Sequence, residues 1–185
     1  MNALYFAFLA VIVTGLGARD QAMVAALSLR QGARPAVLIT AVVVSLATAA
    51  GFAWAAQAIA PLLSPDARTF FAGLGLMLAG GELLLLSPRR APAEPTLSLG
   101  ALAIVLIAFQ AVDAARFLVF AIAVATHAPL ATGIGGALGG AVIVAMGWAA
   151  PELVDKPRLR LVRRGLGAVL LLAGGFVALR AIGRI

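Results

Sequence analysis

The sequence predicts an all-α integral membrane protein: six transmembrane helices arranged as two inverted repeats of three. Three observations predict it. Of the 185 residues, 63% are hydrophobic and 11% are charged, against roughly 25% charged in an average soluble domain, and mean hydropathy is +1.09. The apolar residues fall into six runs, each close to or above the roughly 20 residues that a bilayer crossing needs. The chain also matches itself at an offset of 94 positions: Pro35 meets Pro129, Trp54-Ala55-Ala56 meets Trp148-Ala149-Ala150, Gly73 meets Gly167, and Leu78-Ala79-Gly80-Gly81 meets Leu172-Ala173-Gly174-Gly175.

The runs follow in order. Ala3 to Leu29 is the first helix, interrupted only by Arg19-Asp20-Gln21. A basic n-region is missing before it, so it is read as a span rather than a signal peptide. Pro35 opens the second helix, which continues to Ile59; a proline at a first helical position wastes no hydrogen bond. Pro61, Ser64, Pro65 and Asp66 form a turn, and the third helix runs from Thr69 to Leu86. The polar, proline-rich stretch Ser87 to Thr96 divides the halves, giving a first repeat at 1–87, a linker at 88–96 and a second repeat at 97–185. The fourth run, Leu97 to Ala125, is interrupted by Gln110, Asp113 and Arg116. After a turn at His127-Ala128-Pro129 comes the fifth, Leu130 to Ala150. A charged loop from Pro151 to Arg164 precedes the sixth, Gly165 to Ile182. Runs one and four exceed a perpendicular span, so each requires tilt or a local break.

An odd number of helices per half makes the two repeats enter the membrane from opposite sides, an architecture common among secondary transporters. Nine basic residues fall in loops one–two, three–four and five–six (Arg30, Arg34, Arg89, Arg90, Lys156, Arg158, Arg160, Arg163 and Arg164), and three on the other side (Arg68, Arg180 and Arg184). The positive-inside rule makes the nine-residue side cytoplasmic and puts both termini outside. The net charge of +7, with aromatics at 6%, is therefore an orientation signal and not a nucleic-acid surface. Thirteen Arg against one Lys and the short loops fit a bacterial plasma membrane. No cysteine is present, so disulfides and thiolate metal sites are excluded. No phosphate loop, nucleophile elbow or HExxH motif occurs, so no enzyme and no cofactor are expected.

Chemistry is left to two polar clusters at corresponding places in runs one and four: Thr14 to Gln21, and Gln110 to Arg116. A charge at mid-bilayer costs about 2.5–3.5 kcal/mol on insertion scales, so these residues must be paired or used. Asp113 and Arg116, three apart, share a helix face. The expected cross-pairing is Arg19 with Asp113 and Arg116 with Asp20. Glu82, near the end of a helix, is read as snorkelling to the interface or accepting a proton. His127 is read as a surface residue, and Trp54 and Trp148 as interface anchors.

The stretch Gly15-Leu16-Gly17-Ala18-Arg19-Asp20-Gln21, followed by an Ala/Leu-rich run, and Gln110-Ala111-Val112-Asp113 in the second half resemble the motifs of the Gdt-type membrane cation–proton exchangers, the manganese/calcium antiporters of the lysine-exporter superfamily. In that family each first helix carries Glu-x-Gly-Asp-Lys/Arg-Thr/Ser. Here Gly15 and Ala18 stand at the first motif's carboxylate positions and Gln110 at the second motif's Glu; Asp113 alone keeps a family carboxylate. The resemblance implies divalent cation (manganese or calcium)/proton antiport. Asp113 and Asp20 would then be metal ligands, helped by Gln110 and Gln21, with Arg19 and Arg116 as ion-pair or gating residues, and the bilayer, the cargo and protons as partners. Two carboxylates facing two guanidinium groups suit, as the second reading, a small zwitterion such as an amino acid. A non-transporting homologue clamped by its ion pairs is the third reading.

Overall fold

The computed structural model describes residues 2–85, 97–154 and 157–183; the linker assigned to 88–96 lies outside them. All regular structure among the described residues is helical. The first run is broken into α1 (Asn2–Gly15) and α2 (Arg19–Gln31), bent by 60°. Next come α3 (Pro35–Ile59), a 3₁₀ turn at Ala60–Leu62, and α4 (Pro65–Leu85). The fourth run is likewise broken into α5 (Leu99–Ala111) and α6 (Ala114–Thr126), bent by 56°. The chain continues as α7 (Pro129–Ala149), a 3₁₀ turn at Pro151–Leu153, and α8 (Pro157–Ala181). Four helices are long and apolar enough to cross a membrane, and the number rises to six if each bent pair is one span.

Most boundaries lie within two residues of the sequence expectation, and two helix starts differ by more. α4 starts at Pro65 and not at Thr69, because Ser64 Oγ accepts the Ala67 N–H at 3.3 Å and a proline in the first turn leaves no bond unmade. α8 starts at Pro157 and not at Gly165, absorbing much of the expected loop. Arginine is a good helix former, and polarity alone had marked those residues as loop.

Burial is inverted relative to a soluble protein. Tyr5, Phe6, Leu9, Ile39, Trp54, Ile104, Leu172 and Phe176 point outward, while Ala7, Ala41, Ala49, Ala56, Ala79 and Ala123 fill the centre together with Thr14, Ser45, Gln110 and Arg116. Small residues inside let membrane helices approach closely, and lipid covers the large apolar side chains. Trp54 is 71% exposed. Its counterpart Trp148 is half-buried and donates its indole N–H to Arg34 O at 3.1 Å.

The helix crossings are backbone-close. A Cβ on Gly73 would stand 2.8 Å from Gly174 O, and one on Gly174 would stand 2.6 Å from Gly73 O. On Gly80 it would meet Gly167 O at 2.7 Å, and on Gly167 it would meet Gly80 O at 2.9 Å. The pairing runs in opposite directions along α4 and α8, so these two helices are antiparallel. On α7, Gly135 rests against Leu4 O, and a Cβ on Gly139 would be 3.0 Å from Phe8 O; here the pairing runs in the same direction, so α1 and α7 are parallel. α1 and α2 both pack on α7, while α5 and α6 both pack on α3. This brings the two helix breaks towards the middle of the bundle.

Candidate functional site

Each break ends one half-helix and starts another. At the first, Gly17 takes a left-handed conformation (φ 71°), which glycine adopts without the steric cost other residues bear. The Gly17 N–H is held by Gln21 Oε1 at 2.7 Å, and Gln21 Nε2 donates to Ile143 O on α7 at 3.2 Å. Gln21 therefore ties the break to its neighbour. At the second, Asp113 is the N-cap of α6, with Oδ2 accepting the Ala115 N–H at 3.3 Å. An N-cap carboxylate satisfies an orphan donor and meets the positive pole of the half-helix. Asp20, in the first turn of α2, does the same through Oδ1 and the Gln21 N–H at 2.8 Å.

A hydrogen bond between side chains joins the two breaks. Gln110 Nε2, at the end of α5, donates to Asp20 Oδ2, at the start of α2, at 2.8 Å. Gln110 is fully buried, and its Oε1 accepts from Thr48 Oγ1 at 2.6 Å and from Arg116 Nη2 at 3.0 Å. The Arg116 guanidinium, 1% exposed, also donates from Nε to Thr48 Oγ1 at 2.9 Å and from Nη2 to Ser45 Oγ at 2.8 Å. A Cβ on Gly140 would collide with Ser45 Oγ and press on this guanidinium, so glycine there makes the room it needs.

A second group lies beside the first break. Glu82 on α4 is 5% exposed. Its Oε2 is 3.4 Å from Arg163 Nη2, and its Oε1 is 3.9 Å from Arg19 Nε. Arg163 on α8 also donates from Nη1 to Thr14 O at 2.7 Å and to Leu16 O at 2.9 Å. Arg19 turns across the second break, giving an N–H to Val112 O at 3.3 Å, with its guanidinium 5.4 Å from the centre of the Phe109 ring. Asp20, Glu82, Arg116 and Arg163 all lie within electrostatic range of Asp113. The core thus holds three carboxylates and three guanidinium groups and is neutral when all are ionised.

The expected residues are gathered, but their pairing is different. Neither Arg19–Asp113 nor Arg116–Asp20 forms: among the described residues, the ion pairs within 4.0 Å that involve these groups are Arg19–Glu82 and Arg163–Glu82. Arg116 points towards α3 and is satisfied by hydroxyls and an amide, so no carboxylate is needed beside it. Glu82 does not snorkel; two arginines hold it inside. Arg163, expected in a loop, is 4% exposed because the early start of α8 directs it into the bundle. Ser45 and Thr48 were not anticipated, although two hydroxyls three apart near the middle of a mostly apolar run share one helix face. Among the described residues no group of three or more Asp, Glu or His side chains could hold a metal ion. His127 is exposed at the end of α6, with Nε2 2.8 Å from Arg68 Nη1.

No protein-family model, no curated protein and no solved structure matches the chain.

Proposed function

We propose that this protein is a secondary transporter built from two inverted three-helix repeats, and that its cargo is a small zwitterion such as an amino acid. The observation that carries the reading is the meeting of two broken helices in a buried polar core, through the Gln110–Asp20 bond at 2.8 Å. Transporters of inverted-repeat design bind cargo between the halves, at discontinuous helices. The α4–α8 crossing supports the inversion. Gly73 packs on the repeat counterpart of Gly80, and Gly80 on the counterpart of Gly73, the exchange a two-fold axis between halves requires. With Arg163 set aside, eight arginines and lysines in the loops and adjoining helix ends of that side still outnumber three, which supports a cytoplasmic placement for it.

The charge balance of the core favours a zwitterion. Divalent cations such as calcium take about six oxygen ligands with net negative charge. This core is neutral, and Arg116 lies at its centre. A zwitterion fits the balance: guanidinium groups take a carboxylate bidentately, while Asp20 and Asp113 take an ammonium. The divalent cation/proton exchange implied by the family resemblance requires at least one arginine to leave.

The test is flux in proteoliposomes under an imposed pH gradient, following a labelled amino-acid mixture and manganese in parallel. Amino-acid movement is expected, lost in Arg116→Met at retained fold. Manganese movement abolished by Asp113→Asn, without amino-acid flux, would replace the zwitterion by the cation. Movement of neither, with the fold intact, would reject transport.

A further inference from the structure

We infer that the end of α1 is a monovalent-cation site whose resident cation is the protein's own Arg163. Such a site needs no transport activity, and the backbone forms its floor. Where α1 stops, Leu16 N–H bonds back to Ile12 O and Ala18 N–H to Gly15 O. Thr14 O and Leu16 O turn instead to Arg163 Nη1, at 2.7 and 2.9 Å. A helix C-terminus carries about half a negative charge, and carbonyls at such interrupted ends are where membrane transporters coordinate alkali ions. Glu82 completes the site with a full negative charge, its Oε2 3.4 Å from Arg163 Nη2.

The carboxylate is not used up by this contact. Glu82 Oε1 is buried and accepts no hydrogen bond, and Arg19 Nε, 3.9 Å away, is equally buried and donates none. Beyond Arg163 the carboxylate thus has only weak company, the long contact to Arg19 and the Ala114 backbone N–H nearby. Two carbonyl oxygens, this carboxylate and a guanidinium lying between them form an oxygen-lined cation site, filled from α8. Leu159, also on α8, closes it: a Cβ on Gly17 would lie 2.8 Å from Leu159 Cδ2 and 3.3 Å from Arg163 Cδ. The tethered charge makes the wild-type protein indifferent to sodium at this position, whereas its removal exposes a vacancy that a small free cation fills.

The experiment is thermal unfolding of the purified full-length chain in detergent, in sodium chloride against choline chloride at equal ionic strength, with millimolar guanidinium as a second probe. Wild type is expected to show the same midpoint in both salts. Arg163→Ala in choline should lose about 6 °C or more, the consequence of leaving a buried carboxylate with only the long 3.9 Å contact to Arg19. Sodium or guanidinium should restore at least half of that loss, and Glu82→Gln added to Arg163→Ala should remove the rescue. Arg163→Lys keeps a tethered cation and should fold and remain indifferent to the salt. Should Arg163→Ala fail to fold, a folded and salt-indifferent Arg163→Lys supports the proposal, and failure of both variants overturns it. A folded Arg163→Ala whose loss no cation reverses, or that loses nothing, also overturns it.

Discussion

Replacing Gln110 by leucine tests whether the joint between the broken helices holds the bundle together. Leucine approximates the shape of glutamine and removes three hydrogen bonds at once: to Asp20 Oδ2, from Thr48 Oγ1 and from Arg116 Nη2. Interhelical hydrogen bonds in membranes average about 0.6 kcal/mol each, so three set a floor near 2 kcal/mol. Bonds to charged groups contribute about 1.5–3 kcal/mol, and two of the three are of that kind, which sets a ceiling near 6. The charged partners keep other bonds, Asp20 to the Gln21 N–H and Arg116 to Ser45 and Thr48. The expected loss therefore lies in the lower half of the range, about 2–4 kcal/mol. Reversible unfolding in mixed micelles, titrated with a denaturing detergent, measures it. A loss below about 1 kcal/mol, the size of an ordinary substitution, would refute the claim that Gln110 couples the two halves.

The same unfolding assay checks three further expectations. Gly80→Ala should cost about 1–3 kcal/mol by overpacking, since its Cβ would lie 2.5 Å from Leu171 N and 2.7 Å from Gly167 O. Gly81→Ala, with nothing within 4 Å of the new Cβ, should stay within about 0.5 kcal/mol of wild type; equal effects would show that the α4–α8 crossing is looser than described. Asp113→Ala should lose about 1 kcal/mol as an N-cap deletion while Asp113→Asn loses only a few tenths, and a large loss in the asparagine variant would mean that the charge, not the cap, holds α6. Trp148→Phe removes the bond to Arg34 O and should cost about 1 kcal/mol, with Trp54→Phe neutral because that ring faces outward.

Much was legible in the sequence because the bilayer imposes simple demands. A span must be long and apolar, so composition and run length located all six apolar runs, and Pro35 marked the start of α3 to the residue. Excess length in runs one and four, combined with polar residues inside each, called for a tilt or a break in those two runs; the structure has breaks, at Leu16–Ala18, just ahead of Arg19-Asp20-Gln21, and at Val112–Asp113. The glycines paired at the 94-residue offset were legible as a repeat, whereas their place at the α4–α8 crossing, where the backbones approach too closely for a larger residue, came only from the packed helices.

Partner choice was not legible. Whether Arg116 meets Asp20 or Ser45 depends on how far α6 turns towards α3, and local periodicity says nothing about the relative rotation of two helices. The inward course of Arg163 depends on α8 beginning at Pro157, a boundary that hydropathy obscures because arginine is at once polar and helix-forming. Glu82, isolated in the sequence, becomes the hub of two ion pairs only when α4, α8 and the first helix break converge. The sequence by itself determined an all-helical chain of apolar runs long enough to cross a membrane, and two runs whose length and inner polar residues demand a tilt or a break, since each follows from the cost of exposing backbone or charge to lipid. Tertiary structure alone decided which charges meet. Pairing energies depend on separations of a few ångströms, which arise only when all the helices are packed together.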